Sequence, residues 1–154
     1  MTGDTLTKNK WIVDTGASCH MTNLDDGMFE TTDISDQVKV VNSTKMTATN
    51  IGKWCGLIDQ KDVTKKNIVF DKVKLVPELW TNLFSIGSLL KKKWNLSKYG
   101  PIILLSKDNF KFSFDRLFLT KDGFIMCINI KSRSGESIEN NSFSPLNAGT
   151  LIFY

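Results

Sequence analysis

An aspartate ends the apolar run in Trp11-Ile-Val-Asp-Thr-Gly-Ala-Ser-Cys-His20, and the chain turns at once on Thr15, Gly16 and Ala17. A carboxylate placed where a buried strand stops costs desolvation free energy unless it is paired, hydrogen-bonded or titrated, so such a placement reflects a task. Thr15 can hydrogen-bond locally or across a symmetry axis, Gly16 lets another backbone come close, and Ala17 keeps the turn small. The chemistry that fits is acid–base work by a carboxyl group on a rigid loop. An ordinary surface turn shares the Asp-Thr-Gly composition, so the triplet alone does not decide. His20 is the sole histidine, and with Asp14 already assigned a role it is set aside as a base or ligand. Cys19 reads as a small residue beside the loop rather than a nucleophile, because nothing adjacent marks a lowered thiol pKa.

The elements that must carry this loop are mostly strands. Apolar or β-branched runs bounded by turn residues predict strands at 10–13, 38–41, 54–58, 67–70, 73–76, 102–105, 110–114, 117–120 and 124–130. Lys107-Asp-Asn109 and Lys121-Asp-Gly123 have the composition of hairpin turns, so the last strands are expected to form a meander. One segment, Ser88 to Trp94, predicts a short helix that needs packing to persist. From Lys131 to Asn147 the chain turns to Ser, Asn and Gly, the composition of a linker or tail, and Thr150-Leu-Ile-Phe-Tyr154 closes it with a strand-like run. The four tryptophans, Trp11, Trp54, Trp80 and Trp94, are expected in the core or at a subunit contact.

The 154 residues suit one domain, and 41% apolar with 23% charged residues reads as globular. No run approaches the ~18 consecutive apolar residues of a membrane span, so no membrane partner is expected. Residues 1–10 lack a secretion signal, which points to an intracellular setting. Three widely spaced cysteines without a CxxC pair argue for reduced thiols, and one histidine argues against zinc. A net charge of +4, much of it in Lys65-Lys66 and Lys91-Lys92-Lys93, is too small to announce direct nucleic-acid binding.

The run from Trp11 to Thr22 resembles the start of the aspartic protease of copia-type LTR retrotransposons. That family carries Trp, two residues, Asp, Ser or Thr, Gly, Ala, Ser or Thr, any residue, then His, Met and Ser or Thr. A second stretch, Val73-Lys-Leu-Val-Pro-Glu-Leu-Trp-Thr-Asn-Leu-Phe-Ser-Ile-Gly-Ser-Leu-Leu90, is similar to a later family segment and follows in the expected order. Together they extend the resemblance over about residues 10–130. It implies a mostly β, retropepsin-like lobe: a closed barrel or sandwich with a flap hairpin and one short helix, working as a homodimer. The implied organisation is an N-terminal arm at 1–9, a protease domain at 10–131 and a tail at 132–154.

By the same resemblance Asp14 is the catalytic residue, and Thr15, Gly16, Ala17 and Ser18 form the active-site loop. Ser85, Ile86 and Gly87 cross behind it as a supporting element, with Ser85 standing where retropepsins carry an apolar residue. Val41, Asn42 and Ser43 fall at the flap tip, where the family usually has glycines; their side chains would stiffen the hairpin or change its turn. The implied reaction is peptide hydrolysis of a Gag-Pol polyprotein by water activated between two Asp14 carboxyls, with no metal and no cofactor. The cytoplasm, and virus-like particles within it, are the implied location. The end at 150–154 either joins a sheet shared by two subunits or is a remnant of a longer polyprotein. Two other readings stay open: an inactive or domesticated module that keeps the fold for dimerisation or capsid association, and a nucleic-acid-binding fragment of the polyprotein.

Overall fold

The computed structural model describes residues 9–40, 45–59, 66–100, 102–108, 110–120, 123–133 and 150–153. In chain order these form β1 (Lys10–Asp14), β2 (His20–Thr22), β3 (Met28–Lys39), β4 (Lys45–Asp59), β5 (Lys66–Leu75), β6 (Asn82–Ser85), α1 (Ile86–Lys91), β7 (Asn95–Tyr99), β8 (Ile102–Lys107), β9 (Phe110–Phe114), β10 (Arg116–Thr120), β11 (Gly123–Ser132) and β12 (Thr150–Phe153). The protein is mostly β with one short helix among the described residues, as its β-branched and aromatic runs require.

Hydrogen bonding closes the larger sheet on itself. The order β1-β6-β2-β5-β4 continues to β11, and β11 pairs back to β1, which makes a closed barrel with no free edge along that ring. β3 and β10 extend from it, and β7-β8-β9 form a separate antiparallel sheet. The expected C-terminal meander is therefore divided: β8 and β9 turn at Lys107↔Phe110 in the small sheet, while β10 and β11 turn at Thr120↔Gly123 on the barrel.

Strand alternation sorts the apolar residues into two clusters. Inside the barrel lie Trp11, Trp54, Phe70, Phe84 and Ile128, with Trp11 edge-on to Trp54 at 4.9 Å and Phe84 perpendicular to Phe114 at 4.9 Å. Phe112 and Phe114 of β9 thus plug the barrel with the small sheet, and aromatic pairs of this kind add about 0.5–1.5 kcal/mol each beyond area burial. Two glycines make room for Trp54. A Cβ on Gly56 would fall 2.5 Å from its ring, and one on Gly27, held at φ +88°, would fall 2.8 Å from its Nε1. Outside the barrel wall a second cluster gathers Ile12, Met21, Leu83 and Cys127, covered by Val38 and Ala48 of the β3–β4 hairpin.

Where sequence and structure differ, the causes are local. β2, β6 and β7 were not expected: His-Met-Thr, Asn-Leu-Phe-Ser and Asn-Leu-Ser-Lys-Tyr are short and mixed in polarity, and their neighbours rather than their propensity hold them. The strands expected at 67–70 and 73–76 are one strand. Gly52 and Trp54 of β4 stand opposite Val73 and Phe70, so two steps on β4 match three on β5, and the extra residue is a bulge at Asp71–Lys72. That bulge turns both Phe70 and Val73 inward although they are three apart. The helix begins at Ile86, not Ser88, because Ser85 caps it, and it stops at Lys91, ahead of Lys93 at φ 72°. Trp80 is 54% exposed, unlike the other three tryptophans. β11 runs through Lys131 to Ser132, and β12 pairs in parallel with β5. The arm at 1–8 and most of the tail, 134–149, lie outside the described residues.

Candidate functional site

β1 is hydrogen-bonded on both sides, antiparallel to β11 and parallel to β6, so its end is fixed from two directions. Trp11 and Val13 face the barrel interior; Ile12 and Asp14 alternate onto the outer face that the hairpin covers. Asp14 stands opposite Ser85 at the end of the β1–β6 ladder. Its Oδ1 accepts the backbone N–H of Gly16 at 2.9 Å and of Ala17 at 3.1 Å, which fixes the carboxylate over its own turn. Among the described residues Oδ2 has no hydrogen-bond partner, so one carboxylate oxygen is held and the other is available for chemistry.

A hydroxyl pair fastens this turn to the rest of the fold. Ser85, fully buried, donates from Oγ to Ala17 O at 2.6 Å and accepts Ser88 N–H at 3.2 Å as the N-cap of α1. Ser88 Oγ, with one proton to donate, lies 2.9 Å from Ser85 Oγ and 3.1 Å from Ser18 O. This accounts for a serine where an apolar residue is usual: it caps the helix and grips the loop with one side chain. Ile86 is buried in the barrel core beneath, and Gly87 faces the loop, where a Cβ would meet Ala17 O at 3.8 Å, an ordinary contact.

His20 has a role that sequence reasoning missed. Its Nδ1 accepts the Ser85 backbone N–H at 3.0 Å, and its ring stacks on Phe70 at 4.3 Å and meets the edge of Phe84 at 4.9 Å. Burial, with the Lys92 charge adding to it, pushes the imidazole down to about 3, so it is neutral with its proton on Nε2. The signal was its spacing: six residues after Asp14 the chain re-enters the barrel as β2, beside β6, where a ring nitrogen can end the ladder. Cys19 is buried and its thiol is pushed up by desolvation against the pull of Lys74 and Lys72, which removes the thiolate a nucleophile needs.

Thr15, Gly16 and Ser18 are exposed and Ala17 is half-buried, so the loop residues named from sequence are brought together around Asp14, with Ser85, Ile86 and Gly87 directly behind. The hairpin expected as a flap exists as β3–β4, and Val38 and Ala48 seat it on the face from which Asp14 emerges. Its proposed tip residues, Val41, Asn42 and Ser43, lie outside the described residues.

A family model described as the Pol polyprotein β-barrel domain matches residues 11–94, more than half of the chain and every element from β1 through α1. No curated protein and no solved structure matches it.

Proposed function

Since the chain belongs to the Pol polyprotein β-barrel domain family, and so is a region of a retroelement Pol polyprotein, we propose that it is the aspartic endopeptidase of a copia-type element, a retropepsin-like lobe acting as a homodimer. The observation that carries this reading is the Asp14 carboxylate: one oxygen is bound by Gly16 and Ala17, the other is open, and the whole turn is pinned by Ser85. One such aspartate per chain calls for a second copy. Two carboxyls brought to about 3 Å across a twofold axis cannot both stay ionised at low cost, so they share one proton. The ionised carboxylate takes a proton from the water between them as that water attacks the peptide carbonyl, and the protonated one donates to the carbonyl oxygen. The tetrahedral intermediate then collapses with proton transfer to the leaving amine, and no covalent enzyme adduct forms.

Gly16 gives independent support. Its φ lies outside the left-handed region and an added Cβ would meet only Asp14 Oδ1, at 3.5 Å. Among the described residues neither conformation nor crowding calls for glycine, whereas a substrate backbone or a partner loop running past would. In this reading the Gag-Pol polyprotein is the substrate, the β3–β4 hairpin closes over it, and the cytoplasm or a virus-like particle is the setting.

The test is cleavage of a peptide library over mildly acidic to neutral pH, with and without a pepstatin-like inhibitor, alongside sedimentation of the same samples. Inhibitable cleavage by a dimer, lost in Asp14→Asn with the fold intact, is the expected result. A wild-type chain that cleaves nothing in this range would leave an inactive dimerising module in its place.

A further inference from the structure

Behind the Asp14 turn a cleft of about 250 Å³ opens between β5 and α1, lined by His20, Lys72, Ser88, Lys91 and Lys92 together with Ser18, Cys19 and Asp71. Its position follows from the sheet. β12 pairs with residues 67–70 of β5 and β2 with residues 73–75 along the same edge, so neither strand stands opposite the bulge at Asp71–Lys72. The bulge turns these two side chains out of the regular pleat toward the helix.

The donors around this cleft lack matching acceptors. Among the described residues Lys72, Lys91 and Lys92 make no ion pair within 4 Å, in contrast to Lys74, which reaches Asp36 at 3.7 Å. Lys107 donates to Lys92 O at 2.8 Å, which brings a further ammonium to the rim. Desolvation pushes the Lys92 ammonium down, Asp71 opposes this, and Lys107 adds repulsion. His20 is 4% exposed, its Nδ1 is taken by Ser85 N–H, and its ring lines the cleft.

We propose that this cleft binds a phosphate-class oxyanion, with Lys72, Lys91 and Lys92 supplying charge and His20 Nε2–H supplying an oriented donor. Three lysines against the single Asp71 leave a charge of about +2, which suits a dianion with several oxygens better than a carboxylate with one charge and two oxygens. The site lies beyond the catalytic reading above and does not depend on proteolysis. Two sources share this chemistry, a free phosphate or pyrophosphate and a pair of adjacent phosphodiesters in the backbone of single-stranded RNA, which together carry two charges.

Because the chain has one histidine, its imidazole gives a single unambiguous NMR signal. Full-length protein is titrated separately with pyrophosphate, an oligoribonucleotide and a glutamate-rich peptide while the His20 ring nitrogens are followed. A saturable Nε2 shift with pyrophosphate is expected, and Lys72→Ala with Lys92→Ala should weaken it at least about tenfold, whereas the exposed Lys98→Ala should not. An oligonucleotide that shifts the same signal and competes with pyrophosphate assigns the phosphodiester source; one that does neither assigns the free anion. The proposal is overturned if no phosphate compound shifts His20 saturably, if the double lysine variant retains the shift, or if only the acidic peptide produces it.

Discussion

The Asp14 turn and the β3–β4 hairpin share one face of the barrel and are held by opposite means. The turn receives side-chain hydrogen bonds from Ser85 and Ser88, and its strand is paired on both sides. The hairpin pairs with itself through two register shifts, one bracketing Glu30 at φ 50°, and its outer side carries exposed polar pairs such as Gln37–Thr47 and Asn50–Asp33. Its base is part of the barrel through the pairing of β4 with β5 and β11, but beyond Asn50 its outer part meets the barrel chiefly through apolar contacts such as Val38 and Ala48 and the Asp36–Lys74 pair. Apolar contact tolerates sliding and reopening, whereas a loop tied by directional bonds has one geometry. In the proposed reading, the turn would fix the carboxylate while the hairpin opens and closes over the substrate.

Breaking the turn chemically should give the largest effect. Asp14→Asn is expected to lower peptide cleavage by at least about 10³-fold with an unchanged urea midpoint, because the amide oxygen can still accept from Gly16 and Ala17. Breaking its attachment comes next. Ser85→Ala removes the helix cap and the bond to Ala17 O in one step and should cost about 2–3 kcal/mol in denaturant unfolding, with a loss of kcat that Gly87→Ala does not share.

The His20 link makes the attachment sensitive to pH. Its folded-state value near 3 lies below the ordinary 6.5, so as pH falls through that interval the unfolded chain takes up a proton that the folded chain refuses. The full contribution is present above pH 6.5 and declines below it, by about 1.4 kcal/mol per unit, or roughly 2 kcal/mol at about pH 5. Urea unfolding of wild type against His20→Gln, which keeps an acceptor and cannot titrate, should show this slope disappear.

Loosening the hairpin is a smaller change. Val38→Ala should cost about 1–2 kcal/mol and appear as faster hydrogen exchange at Thr47 and Ala48 than at Ile12 and Val13. The smallest effect belongs to Gly87→Ala, expected within about 0.5 kcal/mol of wild type by thermal unfolding, since the added methyl meets only ordinary contacts and helix propensity favours it.

The turn was legible in sequence because its signals are local: an apolar run, an aspartate, then small residues. Phe110–Phe114 was placed to the residue for the same reason, a strict alternation between turn signals. What escaped depended on neighbours. β2 and β6 are held by strands that lie far away in sequence, and His20 could be seen as a ladder-ending acceptor only once Ser85 was known to stand beside it. The hairpin was seen only in pieces at 38–41 and 54–58, because β3 is exposed along most of its length and carries little apolar periodicity. Ser85 was placed behind the loop by resemblance, but its double duty as cap and clamp required coordinates.

The extra residue in β5 acts as a half-period phase shift in the strand. Upstream of it, even-numbered positions such as Ile68 and Phe70 point into the barrel; downstream, odd-numbered Val73 does. Removing Asp71 would let β4 and β5 run in unbroken step with Phe70 and Val73 two apart and both still inward, whereas straightening the strand with every residue kept would turn the charge of Lys74 inward and Val73 out to water. The two halves of the strand are therefore written in different parities, and no single substitution can reconcile them.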